Sequence, residues 1–178
     1  YGPQPFASFI GRFSRLGNNL LHRLNSKNKI GSVISASSCA SALDLNLSLY
    51  ILGMGKKFLD FSERGSQWLQ DKQQEEGYWH FEKFEGKGKR IQTVDSSHGA
   101  LSLLRLFRTT NDDKALLSAL AFCHYIYHNG REEYGNGKVY YKYYLDGEYA
   151  DLRVTNISCL LISLFTESYK ATKETKYL

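Results

Sequence analysis

Apolar residues recur three and four positions apart along most of this chain. Leu45, Leu49 and Leu52 form one series, and Phe58, Leu59, Trp68 and Leu69 a second. Leu101, Leu104 and Phe107 form a third, and Leu116, Leu120 and Cys123 a fourth. That spacing collects them on one face of an α-helix. Alternation appears in one short stretch, where Val139, Tyr141 and Tyr143 share a side. The pattern predicts helices joined by polar turns near 53–56, 109–113 and 170–174, and a small β-hairpin near 138–149 turned by Asp146-Gly147. Both prolines lie within the first five residues, so none interrupts these helices.

The segments repeat. "GKKFLDFSERGSQWL" aligns without gaps on "DDKALLSALAFCHYI" at an offset of 57, and "TNDDKAL" on "TKETKYL" at an offset of 62. An apolar helix stands ahead of each: "ALDLNLSLYILG", "GALSLLRLF" and "NISCLLISLF". The unit is therefore helix, short turn, helix, then a long aromatic loop. A single helical hairpin cannot bury its own apolar face and must stack on its neighbours. The loops "EEGYWHF" and "GNGKVYYKYY" correspond at an offset of 60, which pairs Gly77 with Gly137. The aromatic clusters thus fall at the junctions between hairpins.

Composition narrows the partners. The chain has 178 residues, 42% of them hydrophobic, enough for one domain with a true core. Its net charge of +5 is spread in twos and threes of Lys and Arg mixed with acids, and no nucleic-acid motif is present. No nucleic-acid partner is expected; an anionic glycan or membrane surface fits the charge equally well. No apolar run is long enough for a membrane span, and the first residues do not read as a signal peptide. The odd, widely spaced Cys39, Cys123 and Cys159 sit among apolar helical neighbours, which predicts reduced, buried thiols. His124 and His128 have the spacing of a two-His metal pair but lack the Glu of the zincin pattern, so no metal is expected. "EGKGKR" has neither the preceding strand nor the Lys-Ser/Thr ending of a phosphate cradle, and no cofactor is expected.

A period of 55–60 residues, a "Q…GYW" element closing the second helix, an Asp opening the next and a "TxDxKYL"-like turn resemble the (α/α) toroid, or six-hairpin, superfamily. The resemblance spans 35–178 and is nearest to carbohydrate-active members: N-acylglucosamine 2-epimerase-like proteins, unsaturated glucuronyl hydrolases, glucuronyl C5-epimerase helical domains and toroid proteins of polysaccharide biosynthesis. It implies an all-α fold, antiparallel helical hairpins forming part of an (α/α) toroid. A full ring needs about six hairpins and this chain supplies about two and a half. Residues 1–34 are then expected to form an N-terminal helical capping segment, and 35–178 an incomplete toroid. Such a piece is expected either to be a fragment of a longer chain or to have its open ends covered by another subunit or by residues 1–34.

The resemblance also implies that the junction loops and the starts of the inner helices share one rim. That would gather Trp79, His80, Asp95, His98, Tyr140, Tyr143, Tyr149, Asp151 and Arg153. In "VDSSHG", either Asp95 or Ser96 is the N-cap of its own helix, or Asp95, with His98 one turn on and with Asp151, is an acid–base group facing a sugar. As an N-cap it would tolerate Asn for well under ~1 kcal/mol. Trp79, His80, Tyr140, Tyr143 and Tyr149 either pack between hairpins or offer a stacking surface for a pyranose. Arg153 either pairs with Asp151 or reads a uronate carboxylate in a forked contact. Two functions follow: a glycan-handling protein of epimerase, hydrolase or lyase type, or a non-catalytic helical-repeat scaffold.

Overall fold

The computed structural model describes residues 35–82, 89–146 and 154–177. Within them run α1 (Ala36–Ile51), α2 (Lys57–Lys72), β1 (His80–Glu82), β2 (Lys89–Ile91), α3 (Thr93–Thr110), α4 (Asp113–Asn129), β3 (Arg131–Tyr134), β4 (Lys138–Tyr141), α5 (Thr155–Thr172) and a 3-10 turn, Thr175–Tyr177. The helices form antiparallel hairpins of part of an (α/α) toroid. α1, α3 and α5 pack side by side, with α2 behind α1 and α4 behind α3. The core lies between the two layers, around Leu43, Leu69, Trp79, Leu103, Phe122, Ile126 and Leu161.

The internal repeat is written in the burial. Each buried position of α2 (Phe58, Ser62, Gly65, Ser66 and Leu69) falls on a buried position of α4 when moved by the offset of 57. The same offset carries every buried position of α1 onto a buried position of α3. Residue size is traded as it goes: Phe58 answers Ala115, and Gly65 answers Phe122. Packing at near-crystalline density tolerates such exchange only when volume is conserved across the interface.

The polar turns stand where the periodicity puts them, at 52–56, 111–112 and 173–174. The last two have one geometry. Asn111 and Lys173 both end their helices in the left-handed conformation, φ 59° and 62°. Thr110 and Thr172 each donate to the carbonyl four residues back while their hydroxyls accept from Asp112 N and Glu174 N. This is the physical content of the "TNDDKAL" and "TKETKYL" match.

The hairpin is present among the described residues, while the expected turn at Asp146-Gly147 runs outside them. Lys138–Tyr141 is its second strand, pairing antiparallel with Arg131–Tyr134. The turn is Gly135-Asn136-Gly137, where Asn136 and Gly137 supply two left-handed residues, φ 76° and 72°. Gly77 and Gly137 are consequently not equivalent. Gly77, at φ 102°, lies so close to α4 that a Cβ would stand 2.5 Å from the Ala121 carbonyl oxygen, whereas around Gly137 there is open space. A second short hairpin pairs β1 with β2.

Cys159 departs from expectation. It is exposed, while Cys39 and Cys123 are buried, and all three are free thiols. Its apolar sequence neighbours lie on other faces of α5, where Leu161 and Leu164 are buried. Burial pushes the Cys39 and Cys123 thiols up to about 12. Among the described residues no helix is long and apolar enough to cross a membrane, and no group of three or more His, Cys, Asp or Glu could hold a metal ion. The expected capping segment, 1–34, lies outside the described residues.

Candidate functional site

The junction after α2 is built by side chains reaching across it. Gln73 donates to the Gly77 and Ser118 carbonyls, both at 2.8 Å, and accepts from the Ser118 hydroxyl at 2.6 Å. Trp79 follows and turns inward: it is 2% exposed, its indole N–H donates to the Leu69 carbonyl at 2.7 Å, and its ring tilts against Phe122. No ring face is left for a ligand, so this Trp packs the hairpins together.

Asp95 is equally committed. It sits in the first turn of α3, 1% exposed, and its two carboxylate oxygens accept from Ala36 N at 3.1 Å and Ser37 N at 3.0 Å. Ser35 takes the next donor, Ser38 N, through its hydroxyl, and its carbonyl begins the helical ladder at Cys39 N. The free N–H groups that open α1 are therefore satisfied, two of them by a residue 59 positions away. Asp95 caps the neighbouring repeat's helix instead of its own. In α5 the corresponding position, at the offset of 62, is the buried Ile157. No carboxylate is needed there because the start of α3 is tied to the hairpin: Thr93 N donates to Tyr143 O and the Thr93 hydroxyl to Lys142 O.

The other expected residues separate into groups. His80 meets Tyr78 edge-on, and Tyr78 tilts against Tyr125 of α4. Tyr143 accepts from the Gln92 amide at 2.6 Å and stacks edge-on with Tyr144. Tyr140 is half-buried on β4, opposite Glu132. Tyr149, Asp151 and Arg153 lie outside the described residues.

His98 stands elsewhere, exposed on α3. Helical spacing places Leu101, Arg105 and Arg108 beneath it. On this face α3 is ion-paired to both neighbours, Arg105 to Asp44 of α1 at 2.9 Å and Arg108 to Glu167 of α5 at 2.6 Å. Burial pushes the Asp44 carboxyl above its ordinary value, against the pull of Arg105, Ser102 and His98. Glu167 moves the other way, lowered chiefly by its hydrogen bond from Lys170, with Arg108 adding to the effect. A groove of about 470 Å³ between α1 and α3 is lined by Asp44, Leu47, Ser48, Ile51, Arg105, Arg108 and Thr109.

A second groove, about 410 Å³, lies beside α5, where Tyr127, Tyr141, Phe165 and Tyr177 meet Arg131 and Lys176. Asp44 and Arg105 were not legible as site residues. Each reads in sequence as an ordinary charge on a helix, and only the side-by-side packing of α1 and α3 joins them.

No protein-family model matches the sequence, and no curated protein matches it. Solved structures do match in fold. An α-mannanase of family GH76 from Bacteroides thetaiotaomicron superposes with a TM-score of 0.66 at 17% identity, over 80% of this chain and 40% of that one. An inactive α-1,6-mannanase variant from Salegentibacter sp., with two consecutive aspartates replaced and α-1,6-mannotetrose bound, gives 0.67 at 14% identity, over 96% and 50%. A family 76 glycoside hydrolase from a bovine Bacteroides thetaiotaomicron strain gives 0.58 at 16% identity, over 85% and 34%. The chain spans half or less of the length of these proteins, and at such identities what is shared is the (α/α) toroid fold.

Proposed function

We propose that this chain handles a glycan on the exposed face of α1, α3 and α5, as one part of a larger (α/α) toroid. The observation that carries the reading is the make-up of that face, where a solvent-open groove holds Asp44 and Arg105 and the exposed His98, two turns along α3 from Arg105, is near enough to act on the Asp44 carboxyl. The mannotetrose-bound neighbour of the same fold supports it. Among the epimerase, hydrolase and lyase types, a glycosidase-like role on an α-mannan agrees best with those neighbours. His98 is the described candidate for proton transfer. His80, Tyr140 and Tyr143, with Tyr149, Asp151 and Arg153, remain candidates for the rim. Trp79 and Asp95 act by positioning the junction.

The test is retention of the purified chain on immobilised polysaccharides, α-mannan beside a uronate-containing polymer. Retention on α-mannan is expected; passage through every matrix would reject the reading. A second reading, a non-catalytic module, is favoured by one observation: Asp44 and Glu167 are both held in ion pairs rather than poised for proton transfer. Release of reducing ends from α-mannan separates the two, since a binding module releases none.

A further inference from the structure

The turn that joins α1 to α2 departs from its two copies. At the offsets of 57 and 62, "LGMGKK" (52–57) corresponds to "TTNDDK" (109–114) and "ATKETK" (171–176). The copies are largely polar and contain Asp112, Asp113 and Glu174, whereas the first turn is apolar at its tip and has no acid. Ile51, at the end of α1, likewise stands where α3 has Arg108 and α5 has Lys170.

These side chains face solvent. Ile51 is 65% exposed, Leu52 76% and Met54 37%. At Gly53 and Gly55, both at positive φ, a Cβ would meet nothing within 4 Å, so the turn projects from the array. Its backbone is satisfied from within: Leu52, Gly53 and Met54 donate to the Ser48, Tyr50 and Leu49 carbonyls at 3.0, 2.9 and 3.1 Å. Lys56 and Lys57 are exposed and, among the described residues, enter no ion pair. The first acid along α2 is Asp60.

A further hairpin of the array does not account for this surface. The register positions of Ile51 and Met54 are exposed in every copy, as Arg108 and Asn111 and as Lys170 and Lys173. For Arg108 and Asn111 this holds although α3 has α1 on one side and α5 on the other. A convex apolar tip with lysines behind it suits a bilayer interface. The tip enters the acyl boundary without an unmet N–H, and the lysines meet anionic headgroups. Residues 1–34 combine the same two properties, with five basic residues, no acid, and Phe6, Ile10, Phe13, Leu20 and Leu24 among them.

We propose that the turn 52–57 is a membrane-contact site: Leu52 and Met54 enter the interface of an anionic bilayer, and Lys56 and Lys57 lie among its headgroups. The site is separate from the glycan reading, since neither Leu52 nor Met54 lines the groove between α1 and α3.

The experiment is co-sedimentation of the full chain with vesicles of phosphatidylcholine alone and of phosphatidylcholine with one part in four phosphatidylserine. Wild type is compared with Leu52→Gln plus Met54→Gln and with Lys56→Gln plus Lys57→Gln. All four positions are exposed, and each paired variant is checked for fold by its circular-dichroism melt. Wild type is expected to sediment with the anionic vesicles and to be released by salt. Each paired variant is expected to bind them about tenfold or more weakly. Binding that both pairs leave unchanged would overturn the turn as the contact, and equal binding to neutral vesicles would overturn the role of its charge. A wild type that stays in solution with both kinds of vesicle would overturn the proposal outright.

Discussion

Replacing Asp95 tests how successive repeats are joined. Its carboxylate accepts two backbone N–H groups that open α1, and it does so at 1% exposure. A hydrogen bond to a charged group contributes about 1.5–3 kcal/mol, and an orphaned buried donor costs about 1–3. Asp95→Ala removes both acceptors and should cost about 3–5 kcal/mol. That is a large share of the ~5–15 kcal/mol that holds a domain folded. Asp95→Asn is the sharper probe. As an ordinary N-cap the change would cost well under ~1 kcal/mol, since Asn caps almost as well as Asp. Here Asn presents only one oxygen, and its NH₂ must face the second N–H, donor against donor. The expected cost is about 2–3 kcal/mol.

Urea unfolding followed at 222 nm measures it, with amide exchange at Ala36 and Ser37 as the local readout. Both amides should exchange faster in Asp95→Asn, by more than the global loss of stability explains. A loss below ~0.5 kcal/mol with unchanged protection at those two amides would refute the capping argument.

Three further outcomes are expected. Gly77→Ala should cost upwards of ~2 kcal/mol by urea unfolding, because it places a Cβ 2.5 Å from the Ala121 carbonyl oxygen at φ 102°; a neutral result would mean the junction is not pinned to α4. Native protein treated with a thiol reagent should label once quickly, at Cys159, and twice only on unfolding, since Cys39 and Cys123 are buried thiols pushed up to about 12. Asp44→Asn should be at least as stable as wild type at pH 7. The folded carboxyl sits above its ordinary 3.8, so its favourable contribution is complete below that value and is lost as pH rises through the raised one. The variant's advantage should therefore vanish as pH falls below 3.8, and a variant less stable than wild type at neutral pH alone would contradict this.

What the sequence revealed was whatever repeats with a period. The turn at 109–113 and its copy at 170–174 were legible because Thr, a left-handed cap residue and an acid recur in order. The hairpin was legible as a hairpin, but its register was not. Both Gly135-Asn136-Gly137 and Asp146-Gly147 carry turn chemistry, and local pattern does not choose between them. Trp79 offered two roles, and tertiary context chose the core by giving its indole N–H a carbonyl ten residues back. Asp95 was read as a cap because an acid opens a helix there; which helix it caps depends on a neighbour 59 residues away, and no local rule reaches that far. The Asp44–Arg105 pair, 61 residues apart, was invisible for the same reason.

The repeat also shows where chemistry can reside in this array. Positions buried in the first hairpin are buried in the second, and their identities are limited to what fills the same interlayer volume. The exposed face of the inner helices carries no such limit. At one register position it presents Ser48 on α1, Arg105 on α3 and Glu167 on α5; at another it presents Ser41, His98 and Leu160. Because α1, α3 and α5 lie side by side, unlike residues on adjacent helices become neighbours, and the ion pairs Arg105–Asp44 and Arg108–Glu167, each about one helical turn off the repeat register, are the result. A surface whose composition changes from one helix to the next can present a different donor or acceptor to each unit of a bound chain. Regular packing behind it holds those groups at fixed spacing. That division, a repeating core supporting a non-repeating face, is why the candidate site lies on α1 and α3 rather than in the aromatic junctions that first draw attention in the sequence.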